Sequence, residues 1–271
     1  MSGILYIVAT PIGNLEDITH RAVRVLGEAD LIACEDTRQT RKLLDRYGIG
    51  KPLASYHEHN EQERSDELIR ELEGGKNIAL VSDAGTPLIA DPGYRLVQKA
   101  RAHAITVTPI PGPSAIIAAL SASGLPTDAF EFRGFLPVKR AQRRRLLEEI
   151  RGSESTQVFY EAPHRIVETL DDVAEVLGDR PVVMGRELTK LHEEFLSGTA
   201  AEIRDALKSR TAIKGEFTVM IGKGTGRATD DRPIEDVVAD LESQGVPRME
   251  AYKRVARERG ISKREVYKKV N

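Results

Sequence analysis

Residues 78–103, IALVSDAGTPLIADPGYRLVQKARAH, pass from an apolar run through a loop rich in small residues and prolines into an amphipathic pattern. The run at 78–83 has the length of a buried strand, and the apolar spacing over 93–103 has the period of a helix. Between them lie Ser82-Asp83-Ala84-Gly85-Thr86-Pro87 and then Asp91-Pro92-Gly93, which expose rigid main chain where an ordinary connection would only turn. The same order of strand, loop and helix extends outward in both directions. Upstream, strands are predicted at 4–10, 30–36 and 52–56, with helices at 19–29, 37–47 and 60–73 and with Thr19 and Asn60 as N-caps. Downstream come a strand at 105–111 and a helix at 114–123. Such alternation builds a largely parallel sheet with helices on its faces.

Three of the loops that follow these strands are chemically alike. Thr10-Pro11-Ile12-Gly13-Asn14 follows the first strand, Ser82 to Pro87 the fourth, and Pro111-Gly112-Pro113-Ser114-Ala115 the fifth. Open parallel sheets bind ligands at the carboxyl ends of their strands, so the three together predict a small-ligand pocket at one sheet edge.

Near Ser123–Pro126 the pattern changes. Strands at 130–137, 156–162, 181–187 and 216–222 and helices at 139–151, 164–177 and 199–209 make a second α/β unit. GKGTGRATDDRP (222–233) reads as a linker. Beyond it the chain is helical, and RMEAYKRV (248–255) is echoed by KREVYKKV (263–270), with the Ala/Val, Tyr and Val of each copy expected to face a small core. Gly260-Ile261-Ser262 reads as the turn between them. The expected organisation is therefore an α/β domain at 1–123, a second at 124–225, and a linker with a helical appendage of helix–turn–helix character at 226–271.

The 271 residues carry 40 Lys+Arg against 42 Asp+Glu, and the balance hides a segregation. Residues 248–269 hold nine Lys/Arg and three Glu, while 133–145 hold six Lys/Arg and no acid. Blocks of this kind predict a polyanionic partner. Apolar residues make up 40% of the chain and no apolar run approaches the roughly 18 residues of a membrane span. With an N-terminus that reads as a strand instead of a signal peptide, the expected compartment is the cytoplasm. One cysteine, Cys34, leaves no intrachain disulfide and no cysteine zinc site.

Common cofactor signatures are missing. No G-x-G-x-x-G follows a strand, Gly222-x-Gly224-x-Gly226 leads into the linker, and there is no Walker A sequence. His57 and His59 lack an obvious third ligand, so no metal is expected.

The segments ATPIGNLEDIT (9–19), ACEDTRQTRKLL (33–44), SYHEHNE (55–61), LVSDAGTPLIADPG (80–93), PIPGPSA (109–115), FYEAPHR (159–165) and GRELTK (185–190) resemble the diagnostic segments of the tetrapyrrole-methylase superfamily, and within it of its rRNA-acting branch. The resemblance implies a two-domain class III methyltransferase with a cleft between the domains, S-adenosylmethionine as methyl donor, 2′-O-methylation of a decoding-region cytidine in 16S rRNA, and a homodimer. It places Pro11, Ser82, Asp83, Ala84, Gly85, Leu88, Ile89, Ser114, Ala115, Tyr160 and Glu161 at the donor. Ser-Asp-Ala-Gly-Thr-Pro stands at 82–87 where the tetrapyrrole enzymes have Lys-Gly-Gly-Asp-Pro, which argues against a tetrapyrrole substrate.

A ribose hydroxyl is a weak nucleophile, so a positioned base is expected. Candidates for catalysis are Glu35, Asp36, Arg38, Glu161 and Glu187, with His57 and His164 beside them; Asp36 or Thr37 has the alternative task of capping the helix that follows. Rival bases among these stay open. Phosphate contacts are assigned to Arg133, Lys139, Arg140, Arg143, Arg144, Arg145, Lys263 and Arg264, with Lys253, Arg254, Lys268 and Lys269, and to Arg38, Arg41 and Arg165 at helix starts. Charge reversal at Arg143–Arg145 is expected to abolish rRNA methylation and spare donor binding. Two other readings stand beside this one: a methylase of a small molecule, and a non-catalytic regulator whose tail reads DNA.

Overall fold

The computed structural model describes residues 2–224, 232–259 and 261–270. Thr225 to Asp231, most of the stretch read as a linker, lie outside the described residues, as does Gly260 of the turn.

Five strands form the first sheet: β1 (Ile4–Val8), β2 (Leu31–Cys34), β3 (Leu53–Ser55), β4 (Ile78–Val81) and β5 (Thr106–Ile110). They run parallel in the order β3-β2-β4-β1-β5. Helices α1 (His20–Glu28) and α2 (Thr37–Arg46) pack on one face with Val8, Ile32 and Val81. On the other face, α3 (Glu61–Glu73) and α4 (Tyr94–Ala102) pack with Leu5, Ala33 and Leu80. The helix after β1 and the helix after β4 thus leave on opposite faces of neighbouring strands. This is a switch point, where loops splay apart and open a crevice.

Local chemistry explains the helix starts. Thr19 caps α1 by accepting the Ala22 N–H at 3.1 Å. Asn60 does not cap α3; its side chain instead accepts the His57 N–H and donates to the Ser55 carbonyl, bracing the turn before the helix.

The second sheet has the order β6-β7-β10-β8-β9, with β6 (Phe130–Phe135) parallel to β7 (Thr156–Glu161) and antiparallel pairing among β7, β10 (Phe217–Ile221), β8 (Pro181–Arg186) and β9 (Glu194–Thr199). Strand β9 lies in a stretch with no predicted element. Helices α6 (Arg140–Glu149), α7 (Ile166–Leu177) and α8 (Ala200–Lys208) cover one face through Leu147, Leu170, Val173 and Ile203. The other face is covered by α5 (Ala115–Ser123), whose Ile116, Ala119 and Leu120 pack on Val158, Val183 and Met220. Although α5 directly follows the first sheet in the chain, its apolar face belongs to the second.

Helices α9 (Ile234–Ser243), α10 (Arg248–Arg259) and α11 (Lys263–Val270) share a small core of their own built on Val237, Val238, Ala251, Tyr252, Val255 and Val266. The echo between α10 and α11 is only partly kept: Tyr252 is buried, whereas its counterpart Tyr267 is 56% exposed. Among the described residues no helix is long and apolar enough to cross a membrane.

Candidate active site

The loops after β1, β4 and β5 are tied together before any ligand is considered. Thr10 and Gly85 exchange backbone hydrogen bonds of 2.8 and 3.0 Å. The Thr10 hydroxyl donates to the Ser82 carbonyl at 3.2 Å, and the Thr86 hydroxyl to the Pro113 carbonyl at 3.3 Å. Within the β4 loop the backbone is left-handed at Gly85 (φ 82°), Leu88 (φ 73°) and Ala90 (φ 65°). Non-glycine residues held there cost on the order of 1–3 kcal/mol each, and persist only where the surroundings hold them. Leu88 shows how: its side chain packs into the core under the first sheet, against Gly93, where a Cβ would come within 3.0 Å of it.

These loops form one wall of a cleft of about 360 Å³ whose other wall is the second sheet. The size suits a small organic ligand. Ile12, Ala84, Gly85, Ile89, Ser114 and Ala115 line the near side, and Tyr160, Glu161, Leu188, Phe217 and Thr218 the far side. Seven residues assigned to the donor from sequence line this space: Ala84, Gly85, Ile89, Ser114, Ala115, Tyr160 and Glu161. Four others serve the scaffold. Pro11 and Ser82 are buried behind the wall. The Asp83 carboxylate accepts the Asp36 N–H at 3.1 Å, tying the β4 loop to β2. Leu88 points into the core for the reason just given.

Among the described residues that line the cleft, Asp91, Glu161 and Glu216 are acids and none is a base. Glu161 pairs with Arg165 and Glu216 with Lys190, both cations standing outside the lining. No ion pair among the described residues reaches Asp91. Burial, then the charge of Glu35, push its carboxyl up to about 6, against a hydrogen bond from Ser82 that lowers it. Burial, followed by the charges of Asp91 and Glu216, pushes the Tyr160 phenol up to about 12, so it stays protonated and keeps its O–H to donate. Asp91 was not among the candidates for catalysis; its only signal in sequence is membership of the Asp91-Pro92-Gly93 turn.

Those candidates fare differently. Glu161 is fully buried and saturated: it accepts from the Ala162 N–H, from Arg165 and from the Thr169 hydroxyl at 2.7–2.9 Å, which makes it the brace of the β7–α7 turn instead of a base. Glu187 accepts from Lys190 (2.9 Å) and the Glu216 N–H (3.0 Å), and these bonds hold its carboxyl low. Asp36 caps α2 and clasps Arg38 at 2.9 Å, which holds it down at about 2 and occupies Arg38 as well. Glu35 is raised, by burial first and then by Asp83 and Glu58, and acts on Asp91 through space. His164 is exposed, and Arg165 is spent on Glu161 and the Leu136 carbonyl.

The basic stretch at 133–145 needs the largest correction. Arg143 is 1% exposed and paired with Asp172 at 2.7 Å; Arg140 bonds Asp172 and Glu175, and Arg144 pairs with Glu175. Arg133 is held by Glu131 and Gln157, and Arg145 by Glu149. Arg140, Arg143 and Arg144 fasten α6 to α7, Arg133 ties β6 to β7, and Arg145 pairs only along its own helix. Lys139, at the start of α6, is exposed. On α11, by contrast, no ion pair among the described residues holds Lys263, Arg264, Lys268 or Lys269. Its acid, Glu265, is turned back onto Ser262, accepting the Ser262 N–H and hydroxyl at 2.7 Å.

The chain matches the family model described as Tetrapyrrole (Corrin/Porphyrin) Methylases over residues 4–204. It is 50% identical to the ribosomal RNA small subunit methyltransferase I of Halalkalibacterium halodurans, over 98% of this chain and 93% of that one. It is 44% identical to the protein of the same name from Bacillus subtilis, with the same coverage. Among solved structures it is similar to a diphthine synthase, with TM-score 0.65 and 16% identity over 81% of this chain and 90% of that one. It is also similar to a uroporphyrin-III C-methyltransferase from Thermus thermophilus, with TM-score 0.56 and 19% identity over 90% and 99%.

Proposed function

The chain belongs to the tetrapyrrole methylase family, and from that premise we propose that it is an S-adenosylmethionine-dependent methyltransferase acting on 16S ribosomal RNA, at the 2′-hydroxyl of a cytidine. The observation that carries the reading is a cleft at the switch point whose lining, among the described residues, holds three carboxylates and no basic side chain, with Asp91 the carboxylate that no described cation pairs. That lining suits a donor bearing a sulfonium and an ammonium, and repels phosphorylated cofactors. The fit extends to shape: the main chain at Ala84 and Gly85 is held open by the bond to Thr10, while Leu188 and Phe217 supply an apolar wall. When bound, S-adenosylmethionine supplies a methyl group open to in-line displacement.

The chain's own part is alignment and one proton. Asp91 stands on the cleft wall, and no cation among the described residues pairs with it to hold it low. It is ionised at neutral pH yet basic enough to take the proton from an attacking ribose hydroxyl and pass it to water. Burial first, and then repulsion from Glu35, keep it so, and Tyr160 is left with its O–H to donate.

Contact with RNA phosphate falls to α11, through Lys263, Arg264, Lys268 and Lys269, with Lys139 as a further exposed cation. A substrate in the ribosome puts the enzyme in the cytoplasm. A second copy of the chain would cover apolar side chains such as Val138 (74% exposed) and Leu191 (93%); light scattering on the eluting protein measures this homodimer. The decisive assay incubates labelled S-adenosylmethionine with small ribosomal subunits and with naked 16S rRNA, then maps the labelled nucleoside. Label in a 2′-O-methylcytidine is expected; absence of label from any RNA overturns the reading.

A further inference from the structure

Strand β6 contains an irregularity that the methyl-transfer chemistry above leaves unused. Phe132 stands opposite Val158 on β7 and Phe135 opposite Tyr160, so three steps along β6 match two along β7. One extra residue is inserted at Arg133–Gly134, and Gly134 takes the left-handed φ of 67° that the insertion requires. Bulges are rare between parallel strands and gather next to active sites, where they re-aim a side chain. Here the effect can be stated. Without the insertion Phe135 would face the opposite side of the sheet, toward the core under α6 and α7. With it, Phe132 and Phe135 share a face and both set ring edges against Tyr160, at 4.9 and 5.7 Å between centroids.

Phe135 ends up on the cleft wall while 57% exposed. A lone exposed aromatic is unremarkable in itself. This one is delivered by a bulge, steadied by a T-shaped contact to Tyr160, and lines the same cleft as Asp91. We propose that the Phe135 ring is a stacking subsite for the nucleobase of the acceptor nucleotide, drawn out of the rRNA so that its ribose lies against Asp91. Proteins that recognise single-stranded RNA splay its bases out and stack them on aromatic side chains, and a nucleotide that enters this cleft leaves its stacked neighbours behind. The more buried apolar residues Leu188 and Phe217 serve the donor, which leaves the half-exposed ring for a group arriving from solvent.

The inference rests on the rRNA-methyltransferase reading, and the test separates the two. Wild type, Phe135→Ala and Phe135→Trp are compared for methyl transfer to small ribosomal subunits, for donor affinity by calorimetry, and for thermal midpoint. Phe135→Ala should lower kcat/KM for subunits roughly 10–100-fold, the range expected for one stacked base. Its donor affinity should stay within about twofold and its midpoint unchanged, while Phe135→Trp keeps most of the activity. Equal activity of wild type and Phe135→Ala overturns the subsite alone, as does a matching loss of donor affinity, which would assign the ring to the donor. Loss of thermal midpoint in Phe135→Ala with no recovery in Phe135→Trp overturns it in favour of a packing role. Failure of wild type to methylate any RNA overturns the reading beneath it.

Discussion

Helices α6 and α11 look interchangeable as sequence and are opposites as structure. Each packs four Lys or Arg into seven residues or fewer. On α6 the fold supplies Glu168, Asp172 and Glu175, one face of α7, so that Arg143 is neutralised in the interior and Arg140 and Arg144 are paired at the surface beside it. On α11 the nearest acid is consumed by its own N-cap, and the cations remain unmatched among the described residues. The cleft repeats the contrast with the sign reversed: Glu161 is matched by Arg165, and Asp91 by no cation among the described residues. Matched charge is architecture; unmatched charge waits for a ligand.

The contrast can be broken most decisively at Asp91. Asp91→Asn should cut kcat by about 10²–10⁴-fold, the usual contribution of a positioned base, with donor affinity little changed. The wild-type rate should rise as pH passes about 6 and level off above, because only the ionised carboxylate accepts a proton. The same group gives a stability signature. Its folded value lies above the ordinary carboxylate value near 4, so the native state binds more protons there and stability falls as pH rises from about 4 to about 6. Denaturant titrations across that window should show the slope reduced in Asp91→Asn; an unchanged slope would sink the assignment.

A matched charge should fail differently. Asp172→Ala leaves Arg143 buried without its partner and should cost about 3–5 kcal/mol in urea denaturation. Replacing both, with Arg143→Met and Asp172→Leu, should recover most of that loss. Charge reversal at Arg143 therefore damages the fold and does not isolate RNA binding. On α11, replacing Lys263, Arg264, Lys268 and Lys269 by Ala should flatten the dependence of log affinity for rRNA on log salt by about 3 while the body stays folded. Smallest of all is Arg145→Ala: its side chain is 83% exposed and paired only along its own helix, so both denaturation midpoint and rRNA affinity should match wild type.

What could be read without coordinates follows from how local each signal is. The strand–loop–helix order, the glycine- and proline-rich loops and the cap at Thr19 are set by neighbouring residues, and the α/β fold follows from them. Strand β9 escaped because it is an edge strand whose Phe195 and Leu196 face opposite sides and whose Ser197-Gly198 pair interrupts the apolar pattern. Whether an arginine is free depends on acids some thirty residues away on another helix, so α6 and α11 were indistinguishable. Asp91 and Phe135 were hidden for related reasons: one acts through a missing partner, the other through a register shift that no residue type announces.

The seat of α5 has a mechanical consequence. Ser114 and Ala115 lead directly from the first sheet's loop into a helix glued to the second sheet by Ile116, Ala119 and Leu120. Parting the halves like a clamshell would strip that helix from its bed or stretch the stiff Pro111–Pro113 tether. Donor exchange that leaves α5 seated would use the exposed side of the cleft beside Phe135, where the base subsite is proposed, and methylated RNA would then depart before reloading.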